Sequence, residues 1–219
     1  MPELTRRAAI LAATATALAG ASVRADDHAK TTMTPDEAIA ELMAGNRRYV
    51  QQRMTSFTED LAELRAHTAG SQAPFAAVLS CADSRVPVEI IFDQSIGRLF
   101  VVRVAGNMAT PEAIGSLEYG AAVLGTKAIM VLGHGGCGAV KAAMAGGPVP
   151  GQISGLFPFL RAGVEAGHGD LARSIAANAA YQARILATAS PVLADLVARK
   201  DLAVLAGVYD LGTGVVNRV

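Results

Sequence analysis

The chain has 219 residues, 52% of them hydrophobic and 17% charged, with 19 basic side chains, 19 acidic ones and two cysteines. That much apolar material supports one core of ordinary size, hence one domain, and excludes a disordered chain. The even charge balance leaves no electrostatic case for nucleic acid or an anionic membrane as partner.

At the N-terminus, Thr5-Arg6-Arg7 precedes Ala8 to Val23, a run rich in alanine and threonine, and Val23-Arg24-Ala25 closes it like a cleavage site. Residues 1–25 are expected to be a signal peptide of twin-arginine type, removed on export to the periplasm. A membrane anchor is the competing reading. The run is only 16 residues long, weakly hydrophobic and followed by polar Asp26-Asp27-His28, so no membrane association is expected after cleavage. These residues hold Glu3 against Arg6, Arg7 and Arg24, so the remainder carries 16 basic and 18 acidic side chains, a net charge of −2.

Residues 26–33 read as a linker, and 34–219 as the domain. Thr34-Pro35-Asp36-Glu37 is a capping box with proline at the first helical position, which predicts a helix to about Gln52. Its apolar positions Ala38, Ile39, Leu42, Met43 and Tyr49 share one face. A second helix is expected from Thr58 to about Ala69, with Leu61 and Leu64 on one side and Gly70 as its C-cap.

The pattern then changes to short continuous apolar runs at Phe75 to Ser80, Arg98 to Val104, Ala128 to Gly133 and Leu202 to Val208. Such runs are strands buried on both faces, so the fold class is α/β: a mostly parallel central sheet of four to five strands, flanked by helices and preceded by a helical arm. The intervening helices fall at Val88 to Phe92, Pro111 to Leu124, Gly138 to Ala145, and Asp170 to Lys200 with a break at Pro191. Gly146-Gly147-Pro148-Val149-Pro150-Gly151 has loop composition.

Two strand ends carry the chemistry. Cys81-Ala82-Asp83-Ser84-Arg85 follows the first run, and His134-Gly135-Gly136-Cys137 follows the third. In open sheets of this kind ligands bind outside the carboxyl ends of strands. If the two strands are parallel neighbours, Cys81, His134 and Cys137 form an incomplete tetrahedron suited to zinc, with Asp83 beside an undecided fourth position. A Cys81–Cys137 disulfide is the alternative in an exported protein, but a staple has no use for the surrounding Asp83, Arg85 and His134.

These motifs, together with Phe100-Val101-Val102-Arg103-Val104-Ala105-Gly106-Asn107, Glu118-Tyr119, Gly45-Asn46-Arg47-Arg48-Tyr49 and Tyr209-Asp210-Leu211-Gly212-Thr213-Gly214, resemble the β-class carbonic anhydrases over nearly all of residues 34–219. The resemblance implies one Zn²⁺ per subunit on Cys81, His134 and Cys137, with zinc-bound hydroxide converting CO₂ to bicarbonate and a proton. Zinc brings the pKa of its water from about 15.7 to roughly 7, and electron-rich thiolates make it a poorer acid than three histidines would.

By the same resemblance Asp83 either accepts a hydrogen bond from the zinc-bound hydroxide or becomes the fourth ligand and closes the site, and Arg85 selects between these states by holding the carboxylate bidentately. A structural ion pair is the plainer reading of Asp83 and Arg85. Gln72 matches a glutamine that donates to substrate oxygen, while Phe100, Ala105, Gly106 and Tyr119 match an apolar CO₂ pocket; Phe100 and Tyr119 could equally be core, and Gly106 a turn residue. His28, His67 and His168 offer no evident proton shuttle.

The resemblance also implies a homodimer or a larger even assembly, with the active site at the subunit interface and the helix 34–52 lying across the partner; its amphipathic pattern equally allows it to cap its own sheet. Without tryptophan, the bicarbonate site that regulates some relatives cannot be built in the same way. Two further functional readings remain: a hydrolase of a CO₂-like molecule such as carbon disulfide or carbonyl sulfide, and a catalytically silent zinc-binding relative.

Overall fold

The computed structural model describes residues 30–219; the expected signal peptide and most of the linker lie outside them. A five-stranded sheet, β1 (Ala76–Ser80), β2 (Leu99–Arg103), β3 (Ala128–His134), β4 (Ala203–Tyr209) and β5 (Val216–Arg218), has the order β2-β1-β3-β4-β5. The pairs β1–β2, β1–β3 and β3–β4 are parallel, and β5 runs antiparallel to β4. The first four strands fall where the apolar runs predict them. Helices are α1 (Pro35–Val50), α2 (Leu61–Thr68), α3 (Val88–Ile91), α4 (Pro111–Glu118), α5 (Gly138–Ala145), α6 (Phe157–Ala166), α7 (Leu171–Ala189) and α8 (Pro191–Ala198).

The runs are continuous because both faces of the sheet are covered. Ala76, Val78, Met130 and Leu132 pack with Ala38 and Leu42 of α1 and with Val88 and Ile91 of α3. Their alternates Ala77, Leu79, Ile129 and Val131 meet Ala113 and Leu117 of α4, Ala179 and Leu186 of α7, and Leu193 of α8. A third cluster, Cys81, Met108, Cys137, Val140, Leu160 and Ile175, closes the carboxyl end of the strands.

Helix α1 begins with the predicted capping box: Thr34 Oγ1 accepts from Glu37 N–H while Glu37 accepts from Thr34 N–H. Of the two placements open to it, this helix lies against its own sheet. Asn46 anchors it, donating to Ile91 O and Gly214 O and accepting from Val216 N–H. Gly45 lets it approach, since a Cβ there would stand 1.8 Å from Phe92 O. Gly45→Ala is therefore expected to cost about 3 kcal/mol, the upper part of the range for an overpacked core, measured by urea unfolding; a midpoint within error of the parent protein would refute this contact.

Several boundaries differ from expectation. Thr58 belongs to a single 3₁₀ turn (Ser56–Thr58), and α2 starts after Asp60, whose carboxylate accepts from Ala62 and Glu63 N–H. No residue of α2 is buried, Leu61 included, and its C-cap is Ala69 rather than Gly70. The predicted helix 111–124 is α4 followed by a π-helical turn, Tyr119–Val123. The long helix 170–200 is α7 and α8, parted before Pro191 as predicted, with Ser190 capping α8. Helix α6 and strand β5 are additional to the predicted elements.

Candidate metal centre

Register brings the two chemical strand ends together. Strand β1 pairs directly with β3, placing Ser80 opposite Leu132, so the Cys81 loop and the His134 turn leave the sheet side by side. Strand β3 ends at His134, the turn Gly135-Gly136 follows with Gly136 at φ +65°, and Cys137 caps α5. The Gly135 N–H donates to Tyr209 O at 2.9 Å, tying this turn to the end of β4.

One ligating atom each from Cys81, His134 and Cys137 lies within 4.8 Å of the others, and all three residues are buried. Both cysteines are free, so the disulfide alternative is absent. With metal–sulfur bonds of about 2.3 Å and a metal–nitrogen bond of about 2.0 to 2.1 Å, a tetrahedral ion holds its ligands just under 4 Å apart, and this cluster fits such an ion. The chemistry of the donors agrees. His134 Nδ1 lies 3.0 Å from Gly135 O, which favours the tautomer with the proton there and presents Nε2 as a lone pair. Nε2 is buried and has no hydrogen-bond partner, a cost that an ion at this point would remove.

The two sulfurs compete for one proton. The hydrogen bond from the Cys137 thiol, against the opposing effect of burial and with help from His134 and the Gly106 and Asp83 N–H groups, brings the Cys81 thiol down from its ordinary value. The same sulfur, and burial, push Cys137 up. Burial lowers the His134 imidazole, but the neighbouring Cys81 sulfur, Gly135 O and the Asp83 charge outweigh it and leave it raised. A metal ion must displace these protons, so its affinity falls as pH falls.

Asp83 is outside the three-residue cluster, and its carboxylate is turned to Arg85. Oδ1 accepts from Arg85 N–H and Nε at 2.9 and 3.0 Å, and Oδ2 accepts from Nη2 at 2.8 Å. This fork holds the Asp83 carboxyl well below the usual carboxylate range. Oδ2 is still only 3.8 Å from His134 Nε2, so the carboxylate stands at the edge of the metal position.

Arg103, at the end of β2, also grips this loop, donating from Nε to Cys81 O at 3.1 Å and from Nη2 to Asp83 O at 2.6 Å. Its place in the motif is visible from residue order alone, but no neighbouring residue signals this task. Gly106, at φ +79°, donates its N–H to Cys81 Sγ at 3.3 Å, and Ala105 adjoins it.

Three predicted site residues are not brought to the cluster within one chain. Phe100 is in register with Ala77, four residues before Cys81, which places it about 13 Å back along the sheet. Tyr119 packs beside it, ring centroids 6.3 Å apart, and is 43% exposed. Gln72 is exposed and precedes β1, at the opposite end of that strand from Cys81. The physical reason is the strand itself: residues before and after a five-residue strand are separated by its length.

Fold and site together define a mostly parallel α/β protein with two sulfur donors and one nitrogen donor placed where they could hold a metal ion. A family model described as carbonic anhydrase matches residues 76–216, and the chain belongs to that family, in its β class. It is 35% identical over 188 residues to carbonic anhydrase 2 of Mycobacterium tuberculosis (strain CDC 1551 / Oshkosh), covering 82% of this chain and 90% of the relative. A carbonic anhydrase of Mycolicibacterium smegmatis is 44% identical over 110 residues, half of this chain and 53% of the other. The β-carbonic anhydrase of Coccomyxa, solved with acetazolamide, superposes with a TM-score of 0.67 at 29% identity, covering 83% of this chain and 86% of that one.

Proposed function

We propose that this chain catalyses the reversible hydration of carbon dioxide to bicarbonate and a proton, with one zinc ion held by Cys81, His134 and Cys137. The observation that carries this reading is the convergence of two sulfurs and an unpartnered imidazole nitrogen within 4.8 Å at adjoining strand ends. Zinc on such a donor set supplies the Lewis acidity that makes water nucleophilic near neutral pH.

The remaining residues organise the approach to that point. Asp83 stays ionised under the Arg85 fork and offers Oδ2 to accept a hydrogen bond beside His134 Nε2. Arg85 keeps that carboxylate from becoming a ligand by occupying both of its oxygens. Ala105 and Gly106 give a small, apolar wall next to Cys81, which suits a nonpolar substrate. Stopped-flow CO₂ hydration on the chain lacking residues 1–25, with zinc measured in the same sample, tests the proposal: about one zinc per chain with rapid hydration is expected, and full zinc loading without hydration at mildly alkaline pH overturns it.

The functional unit is a homodimer or a larger even assembly of this chain. Support comes from the edge strand β2, which is only half buried, and from exposed Leu61, Ile90, Ile96 and Tyr119 in its neighbourhood. A second copy across this face would bring its own Gln72, Phe100 and Tyr119 towards a pocket that they cannot reach within one chain. Ile96→Glu is expected to dissociate the assembly in sedimentation experiments and to lower hydration with it. A parent chain that sediments as a monomer at full specific activity would exclude this arrangement.

Residues 1–25 are proposed to direct folded protein through the twin-arginine route to the periplasm, on the strength of Arg6-Arg7 ahead of the apolar run. Uptake of the metal before export gives a reason to use that route. A periplasmic protein whose N-terminus is Met1 would contradict cleavage near Ala25.

A further inference from the structure

Between β2 and α4 the backbone makes an uncommon turn: Gly106 and Asn107 are consecutive residues with positive φ, +79° and +46°. Asn107 in that region carries a conformational cost of about 1 kcal/mol or more, so neighbouring structure must hold it there. The loop is also closely pressed, since a Cβ on Gly106 would stand 2.9 Å from Leu160 Cδ2 and 3.4 Å from Ala139 Cβ. The outcome of this turn is the Gly106 N–H aimed at Cys81 Sγ.

Two buried amides of α7 fix the loop from the other side. Asn178 Nδ2 donates to Gly106 O at 2.9 Å, and Gln182 Oε1 accepts from Ala109 N–H at 3.0 Å. Gln182 Nε2 donates to Asn178 Oδ1 at 3.1 Å and to Phe159 O at 2.9 Å. The two side chains are one helical turn apart and 1% and 2% exposed, and every polar atom of both is partnered. Helix α6 packs tightly on α7 at this point, because Gly163 approaches so closely that a Cβ there would stand 2.6 Å from Asn178 Cα. A fully satisfied buried network of this kind fixes geometry more firmly than its separate bonds would.

We propose that Asn178, braced by Gln182, is a positioning residue of the metal centre: by holding the Gly106 carbonyl it fixes this residue so that the N–H on the other side of its Cα donates to the ligating sulfur of Cys81. A thiolate that accepts a hydrogen bond gives less charge to its metal, and partners of this kind tune metal acidity from outside the ligand set. In a site with two thiolates, which quench Lewis acidity, the effect is to keep the ion acidic. The inference rests on Cys81, His134 and Cys137 holding the metal.

The test uses the full domain loaded with cadmium-113 and labelled with nitrogen-15. The wild-type protein should bind one cadmium and show scalar coupling from the metal through sulfur to the Gly106 amide proton. Asn178→Ala should abolish or sharply weaken that coupling, move the sulfur-to-metal charge-transfer band of the cobalt-loaded protein to lower energy, and reduce hydration about 10-fold or more. Gln182→Met should change the same signals in the same direction by less. Ser174→Ala, one turn earlier on α7 and bonded only to Asp170 O, should lower the melting temperature without moving coupling or band.

Stoichiometric cadmium binding without the Gly106 coupling overturns the proposal and leaves the metal centre standing. So does unchanged coupling in both Asn178→Ala and Gln182→Met. Failure to bind cadmium removes the metal centre and this inference with it. If Asn178→Ala does not fold, the wild-type coupling and Gln182→Met decide.

Discussion

Cys137→Ser is expected to empty the metal centre and bring CO₂ hydration down to the uncatalysed background, a loss on the order of 10⁶-fold given ordinary enzymatic accelerations. The size of the effect follows from the donor set. Serine keeps the volume of the side chain, but its hydroxyl does not ionise near neutral pH, so the site loses one of the two negative charges that balance Zn²⁺. The position allows no substitute ligand: Cys137 is buried, caps α5, and follows a turn whose Gly136 has positive φ. Metal content, hydration rate and melting temperature should change together. An ion present at about 1,000 times its dissociation constant contributes about 4 kcal/mol of stability, so chelation should lower the melting temperature of the parent protein and leave that of Cys137→Ser unmoved. A Cys137→Ser protein that retains one zinc per chain and hydrates CO₂ would end the assignment of the ligands.

The cluster of Cys81, His134 and Cys137 could be read in the sequence because its residues sit in two short motifs at the ends of runs that could only be buried strands, and direct pairing of β1 with β3 did the rest. Elements without such an internal signature were harder to see. Helix α6 follows a stretch of glycine and proline, with Pro158 in its first turn and Gly163 in its middle; its signal was the spacing of Leu160 and Val164 alone. Strand β5 has three residues, and its antiparallel return is set by the turn after Tyr209, where Asp210 accepts from the N–H groups of Gly212 and Thr213 and Gly214 has φ +81°. Asn178 and Gln182 read as ordinary polar residues of a helix, because their partners, Gly106 and Ala109, lie more than 70 positions earlier. Gln72, Phe100 and Tyr119 match the family motif in sequence, yet one chain places them far from Cys81, because a motif match records residue order and not the length of strand that separates its parts.

Arg85→Ala is expected to lower hydration about 100-fold while barely changing stability. The two effects separate because the Asp83–Arg85 pair is worth little as an ion pair: the arginine is largely exposed, and such pairs contribute roughly 0 to 1 kcal/mol. Its value lies in what it withholds. Asp83 Oδ2 already stands 3.8 Å from His134 Nε2, so once the fork is removed a small rotation brings the carboxylate to the metal as a fourth ligand. Zinc should then be retained, and bound at least as tightly, in a protein that has lost its activity. Arg85→Lys should be intermediate, since one ammonium cannot span both oxygens in the planar geometry that guanidinium provides. A double-mutant cycle separates this account from a general contribution of positive charge. If Arg85 acts by restraining Asp83, removing it from an Asp83→Ala protein costs little further activity; if the two losses simply add, or if Arg85→Ala alone leaves hydration unchanged, the carboxylate is not the gate of this site.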